Sequence, residues 1–166
     1  MLFLIVLTLA TLVAAVLPIP GGQRSWRSTA RTGMGIAMIF AGISHWAMPE
    51  PFEQHLPPWV PAAELLVLLS GLAEVALGAA LLVRTPWQRW AGLALAAYLV
   101  GVFPANVYVA VADVDVDGQP GGVYPWLRLP LQALFVAWAL WSTGWFSRDP
   151  TSARAMAKGP DRSERA

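Results

Sequence analysis

The sequence predicts an all-α membrane protein: a four-helix transmembrane bundle preceded by one extra N-terminal transmembrane helix. Three observations carry that reading. Hydrophobic residues make up 57% of the 166 positions and charged residues only 13%, against about 25% charged in an ordinary soluble domain; mean hydropathy is +0.54. Apolar runs at 2–18, about 30–48, 62–83, 90–111 and 126–146 reach or approach the about 20 residues that a helical crossing needs. Prolines stand at the ends of these runs, at Pro18, Pro20, Pro49, Pro51, Pro57, Pro58, Pro61, Pro86 and Pro125, where helix breakers belong.

The first run, MLFLIVLTLATLVAAVLP, reads as a crossing over residues 1–18. A signal peptide would place a basic stretch before its apolar region, and here the positive charges all follow. The second run is interrupted by Arg31, whose long stem lets its head snorkel towards the membrane surface. The segments between runs separate by charge. Residues 19–32 carry Arg24, Arg27 and Arg31 without an acid, and residues 84–89 carry Arg84 and Arg89. The segment 49–61 carries Glu50 and Glu53, and 112–125 carries Asp113, Asp115 and Asp117, with no Lys or Arg in either. Lys and Arg mark the cytoplasmic side. That rule puts both basic loops and the tail inside, both acidic loops outside, and the N-terminus outside. Residues 30–146 then form the four-helix domain, and the polar tail, 147–166, is expected to be disordered. Several of the nine tryptophans flank the runs, at the level amphipathic rings prefer. HLPPWVP, residues 55–61, is expected to lie extended along the outer surface with Trp59 at the interface.

Composition also excludes functions. A net charge of +1 with scattered basic residues offers nothing to nucleic acid. With no cysteine there is no disulfide, thiol catalysis, iron–sulfur cluster or cysteine zinc site. No nucleophile with its base, phosphate loop or metal-ligand set is visible. DVDVDGQPGGVY starts like a calcium loop at Asp113, Asp115, Asp117 and Gly118, but its twelfth position is Tyr124 where a bidentate glutamate is required. His45 and His55 alone give a metal or haem few ligands.

The chemistry lies in polar residues inside apolar runs. In LLSGLAEVALGAALLV, residues 68–83, Glu74 lies about 18 Å from residue 62 at 1.5 Å per residue, near mid-membrane. A charge there costs at least a few kcal/mol, so such residues usually face protein or a water-filled cavity. Val67, Gly71, Glu74 and Gly78 share a helix face, and the glycines let another helix approach. His45, Glu64, Asn106, Arg128 and Gln132 fall within roughly two turns of the outer helix ends, so polar groups from four helices converge there. Glu64 is the expected partner of Arg128 by depth. Two readings of Glu74 stand side by side, a packing lock and a group that handles protons or ligand. Pro104 frees the carbonyl of residue 100 and kinks its helix beside Asn106, which either shapes a polar cavity or only fits the bundle's curvature.

AGISHW (41–46), SGLAEVALG (70–78), VFPANVYVA (102–110) and RLPLQ (128–132) together resemble the DoxX-like family of small bacterial integral membrane proteins, over about residues 30–146. The resemblance implies a four-helix membrane bundle in the bacterial cytoplasmic (inner) membrane and a role as a membrane subunit of quinone-linked oxidoreductases. It transfers no catalytic residue, only the matching positions His45, Glu74, Asn106, Arg128 and Gln132. Three functions follow as expectations. One is a quinone- or lipid-binding subunit beside a redox-enzyme partner. The second is a non-catalytic scaffold, and the third a small-solute or proton carrier, for which a homo-oligomer would supply the missing repeat. A catalyst acting alone is not expected.

Overall fold

The computed structural model describes residues 2–16, 25–83 and 85–147. These form helices α1 (Leu2–Val16), α2 (Trp26–Ala47), α3 (Glu50–Glu53), α4 (Ala63–Leu82), α5 (Gln88–Val111) and α6 (Tyr124–Ser142), with no strand among the described residues. The basic positions Arg24 and Arg84, and all but the first residue of the 147–166 tail, lie outside them.

Each apolar run has become a helix, with shifted ends. The second starts at Trp26, ahead of its apolar stretch, because SWRS caps it. Ser25 Oγ accepts from the Ser28 N–H at 3.1 Å and Ser28 Oγ accepts from the Ser25 N–H at 3.1 Å, so two orphan donors are satisfied reciprocally. At the same end of the bundle, α4 finishes on carbonyls that side chains reach: Arg31 Nε donates to Leu81 O at 3.1 Å, and Gln88 Nε2 to Leu81 O at 3.2 Å and Val83 O at 3.1 Å. Arg31 is thus a cap for its neighbour and does not stand alone as a snorkelling charge.

The helix α2 is the hub, packing on α1, α4 and α6, while α5 packs on α4 and α6. Their shared core is Leu7, Met34, Ala37, Met38, Leu81, Leu95, Leu99 and Ala139. Glycine sets how closely α2 and α4 approach. A Cβ at Gly42 would lie 2.5 Å from Gly71 O, and one at Gly78 would lie 2.7 Å from Gly35 O. Gly35 faces Gly78 and Gly42 faces Gly71, so α2 and α4 run antiparallel with one glycine pair every two turns.

By length and composition, α4 and α5 are each suited to crossing a membrane. The helix α1 is shorter, and α2 and α6 are long enough but carry more polar residues, among them Arg27, Arg31, Arg128 and Gln132. Two short segments differ from expectation. Residues 50–53 form a helical turn, α3. Residues 55–61 are coiled into turns, with His55 N bonded to Phe52 O, Leu56 N to Glu53 O and Val60 N to Pro57 O. Proline pre-sets φ for turns as well as for extended chain, and here the turns win because His55 is pulled inward.

Candidate functional site: a polar-ended cavity at one end of the bundle

The N-terminal ends of α1, α4 and α6 and the C-terminal ends of α2 and α5 meet at one end of the bundle. Between them lies a cavity of about 1190 Å³, covered by the segments 48–62 and 112–123. Its walls are mostly apolar, with Met38, Val67, Leu99, Leu131 and Phe135 among them. Two polar clusters face it, one deep and one near the covering loops.

The deep cluster is built on Glu74, about 16 Å along α4 from Ala63 at 1.5 Å per residue. The Tyr98 hydroxyl of α5 donates to Glu74 Oε1 at 2.9 Å and also lies 3.4 Å from Ser70 O. On the other side, His45 Nδ1 stands 3.5 Å from Glu74 Oε2. That nitrogen is 2.9 Å from Ala41 O, which can only accept, so its hydrogen is already committed there. Glu74 Oε2 is therefore buried with no hydrogen-bond partner, an uncommon state for a buried polar atom. The His45 ring stacks on Phe52, centroids 3.7 Å apart, so α3 serves to cover this cluster.

Between the clusters, Asn106 Nδ2 donates to Gln132 Oε1 and Gln132 Nε2 donates to Leu99 O, tying α5 to α6. Pro104 stays within α5. Lacking an N–H, it cannot bond the carbonyl of Val100, and Gln132 serves the neighbouring carbonyl of Leu99. Gln132 is only 6% exposed.

The shallow cluster is centred on Arg128, about 6 Å along α6 from Tyr124. His55 Nδ1 is 2.7 Å from Pro51 O, so Nδ1 carries the hydrogen and Nε2 presents a lone pair. Arg128 Nη1 donates to that Nε2 at 2.6 Å and to Gln119 Oε1 at 2.6 Å. Burial, and then the Arg128 guanidinium beside it, push the His55 pKa down to about 4. The Tyr124 ring flanks Arg128 at 5.9 Å. The two covering loops are also joined directly: Gln54 Nε2 donates to Asp117 Oδ2 at 2.7 Å and the Asp117 N–H to Gln54 Oε1 at 2.8 Å.

Of the six residues expected at a site, His45, Glu74, Asn106, Arg128 and Gln132 line this one cavity. Glu64 does not. It is exposed on the first turn of α4 and is absent from the lining. The expected Glu64–Arg128 pair is accordingly replaced by His55 and Gln119, because depth along a helix says nothing of the direction a side chain faces around it. Nor does Arg128 reach Glu74, whose neighbours are Tyr98 and His45. Sequence reasoning missed Tyr98, Gln119 and the part His55 plays. Tyr98 had a usable signal, a hydroxyl deep in an apolar helix; the two loop residues had none, since loops carry no periodicity. Asp117, expected in a solvated acidic loop, is bonded to Gln54.

No curated protein and no solved structure matches the chain. Residues 34–143 match the family described as "Domain of unknown function (DUF8561)", a stretch that holds α3, α4, α5, α6 and every cavity residue named above. Because that stretch is well over half of the 166 residues, the chain belongs to the DUF8561 family.

Proposed function

We propose that this chain is a multi-pass membrane bundle of the DoxX-like type whose cavity holds one lipophilic small molecule, a quinone or a lipid, as the membrane subunit of a redox assembly. One observation carries the reading: an apolar-walled cavity of about 1190 Å³ ends in hydrogen-bonding groups that the protein leaves unspent. Glu74 Oε2 has no hydrogen-bond partner, and the Arg128 guanidinium gives two hydrogen bonds, both to neutral acceptors, out of five it can donate. Ligand sites are concave, largely apolar and fitted with a few convergent polar groups, typically in about 300–1,000 Å³. This one has room for a head and part of a chain.

The membrane setting is supported by the outer faces. Leu65, Leu68, Leu69 and Leu72 of α4 are each 50–56% exposed, a contiguous apolar surface that water would penalise and lipid would not. All of α1, α2, α4, α5 and α6 cross in this reading. The acidic loops and the cavity face outward, and the C-terminus is cytoplasmic in a bacterial inner membrane. A quinone's carbonyl oxygens are acceptors that suit the free Arg128 donors, and a bound quinone would supply electron transfer while the chain's own residues hold and orient it.

The test is to purify the protein in mild detergent and extract and identify what copurifies, beside an Ala105→Trp variant that fills part of the cavity. The expected result is about one defined molecule per chain, reduced several-fold in the variant. The same bulk lipid mixture in both preparations would contradict ligand binding and leave a non-catalytic scaffold as the better account.

A further inference from the structure

Resting on the ligand-binding reading above, we infer that the cavity's ligand is an anionic amphiphile, its carboxylate or phosphate head on Arg128 and its chain laid inward along the apolar wall. The charge arrangement around Arg128 carries this. Among the described residues no carboxylate lies within 4.0 Å of its guanidinium. The two groups that accept its hydrogen bonds, His55 Nε2 and Gln119 Oε1, are neutral. A guanidinium drawn into an apolar setting without a counter-charge is expensive, and arginine's planar fork matches a carboxylate or phosphate in two parallel hydrogen bonds.

The surroundings supply Arg128 with neutral acceptors. His55 spends its Nδ1 hydrogen on Pro51 O, so it offers Arg128 a lone pair and does not add charge. Its pKa of about 4, set first by burial and then by Arg128, keeps it neutral at ordinary pH. Among the described residues two acids line the cavity, Glu74 and Asp117; Glu74 lies about 10 Å deeper than Arg128, judged from the two helix positions at 1.5 Å per residue. Asp117, on the covering loop, spends Oδ2 on Gln54.

The amphiphile, as opposed to a free anion, follows from shape. Beyond Arg128 the cavity continues along Leu131, Phe135, Met38 and Leu99, far more apolar surface than an inorganic anion can use. A neutral quinone would leave the guanidinium without a counter-charge.

The experiment uses the full chain in detergent, with thermal unfolding followed during titration of four probes: sodium oleate, phosphatidylglycerol, the uncharged monoolein, and inorganic phosphate. Oleate or phosphatidylglycerol should raise Tm saturably, the stronger of the two naming the head as carboxylate or phosphate, while monoolein and inorganic phosphate do little. Arg128→Gln should weaken the anionic lipid by roughly tenfold or more, about 1.4 kcal/mol. Should that variant not fold, Gln119→Glu decides. It sets a carboxylate where Gln119 Oε1 already meets Arg128, so it should raise the unliganded Tm and weaken the anionic lipid by a similar factor. Equal shifts from monoolein and oleate, or unchanged oleate binding in Gln119→Glu, would overturn the inference. An effect of inorganic phosphate as large as that of the lipids would reduce the site to one for a free anion. A copurified quinone insensitive to Gln119→Glu would overturn it while leaving the ligand-binding reading in place; no cavity ligand of any kind would remove both.

Discussion

Glu74 and His55 show how single residues obtain their properties from what surrounds them. Glu74 is carried between two glycines that press α4 onto α2, and that close approach brings it to His45. Gly42 is where the approach is tightest. Gly42→Ala would place a methyl 2.5 Å from Gly71 O, a backbone atom that cannot swing away, and is expected to cost about 1–3 kcal/mol. Gly101 has nothing within 4 Å of the same added atom, so Gly101→Ala should be neutral or stabilise by up to about 1 kcal/mol. Thermal unfolding of the two variants side by side checks the contrast. His55 makes a prediction in pH. Its folded pKa of about 4 lies below the ordinary 6.5, so between those values the unfolded chain binds more protons than the folded one. Stability is therefore whole above about pH 6.5 and declines as pH falls towards 4, by up to about 3 kcal/mol from this group. The decline arises where Arg128, Gln119, Pro51 O and His45 face the ring, and His55→Gln should flatten it. A Tm profile from pH 7 to 4 that is equally steep in both proteins would contradict this.

At the scale of elements, much was legible and the reasons are separable. Helix existence followed from long apolar runs and from prolines at their ends, and every such run is a helix. Helix ends were less legible, since the start of α2 depends on the Ser25–Ser28 capping box and not on hydrophobicity. Ser25→Ala should cost about 1 kcal/mol, in the range 0.5–2, seen as a lower Tm with no change in what the cavity binds. The start of α4 shows the opposite economy. Ala62 sits at φ 53°, a left-handed conformation that costs an L-residue with a Cβ about 1–2 kcal/mol and lets the chain turn sharply from 55–61 into the helix. The convergence of His45, Glu74, Asn106, Arg128 and Gln132 was readable because each stands out against an apolar run. Their pairing was not, because rotation about a helix axis is set by packing. For Glu64 one face of α4 points inward and its own points out. The loop partners of Arg128, His55 and Gln119, are brought in by chain reversals whose geometry depends on the finished bundle.

For the whole molecule, the arrangement reduces to an asymmetry between two ends. At one end α4's last carbonyls are closed by Arg31 and Gln88 and the core is filled by Met34, Leu81 and Leu95. At the other the helices part around a cavity, and two loops tied to each other by Gln54–Asp117 lie across it, the first also held to α6 by His55–Arg128. A packed end and an opened, covered end suit a protein that holds something within the bundle, and the leucine-rich outer face of α4 suits lipid around it. The most direct measurement is photo-crosslinking in native membranes with a benzophenone amino acid placed at Tyr108, which lines the cavity, and in a second protein at Leu69, which is 50% exposed on the outer face. The Tyr108 probe should capture one small amphiphile of defined mass, while the Leu69 probe captures the bulk lipid mixture. The same bulk mixture at both positions, or no lipophilic adduct at Tyr108, would contradict this.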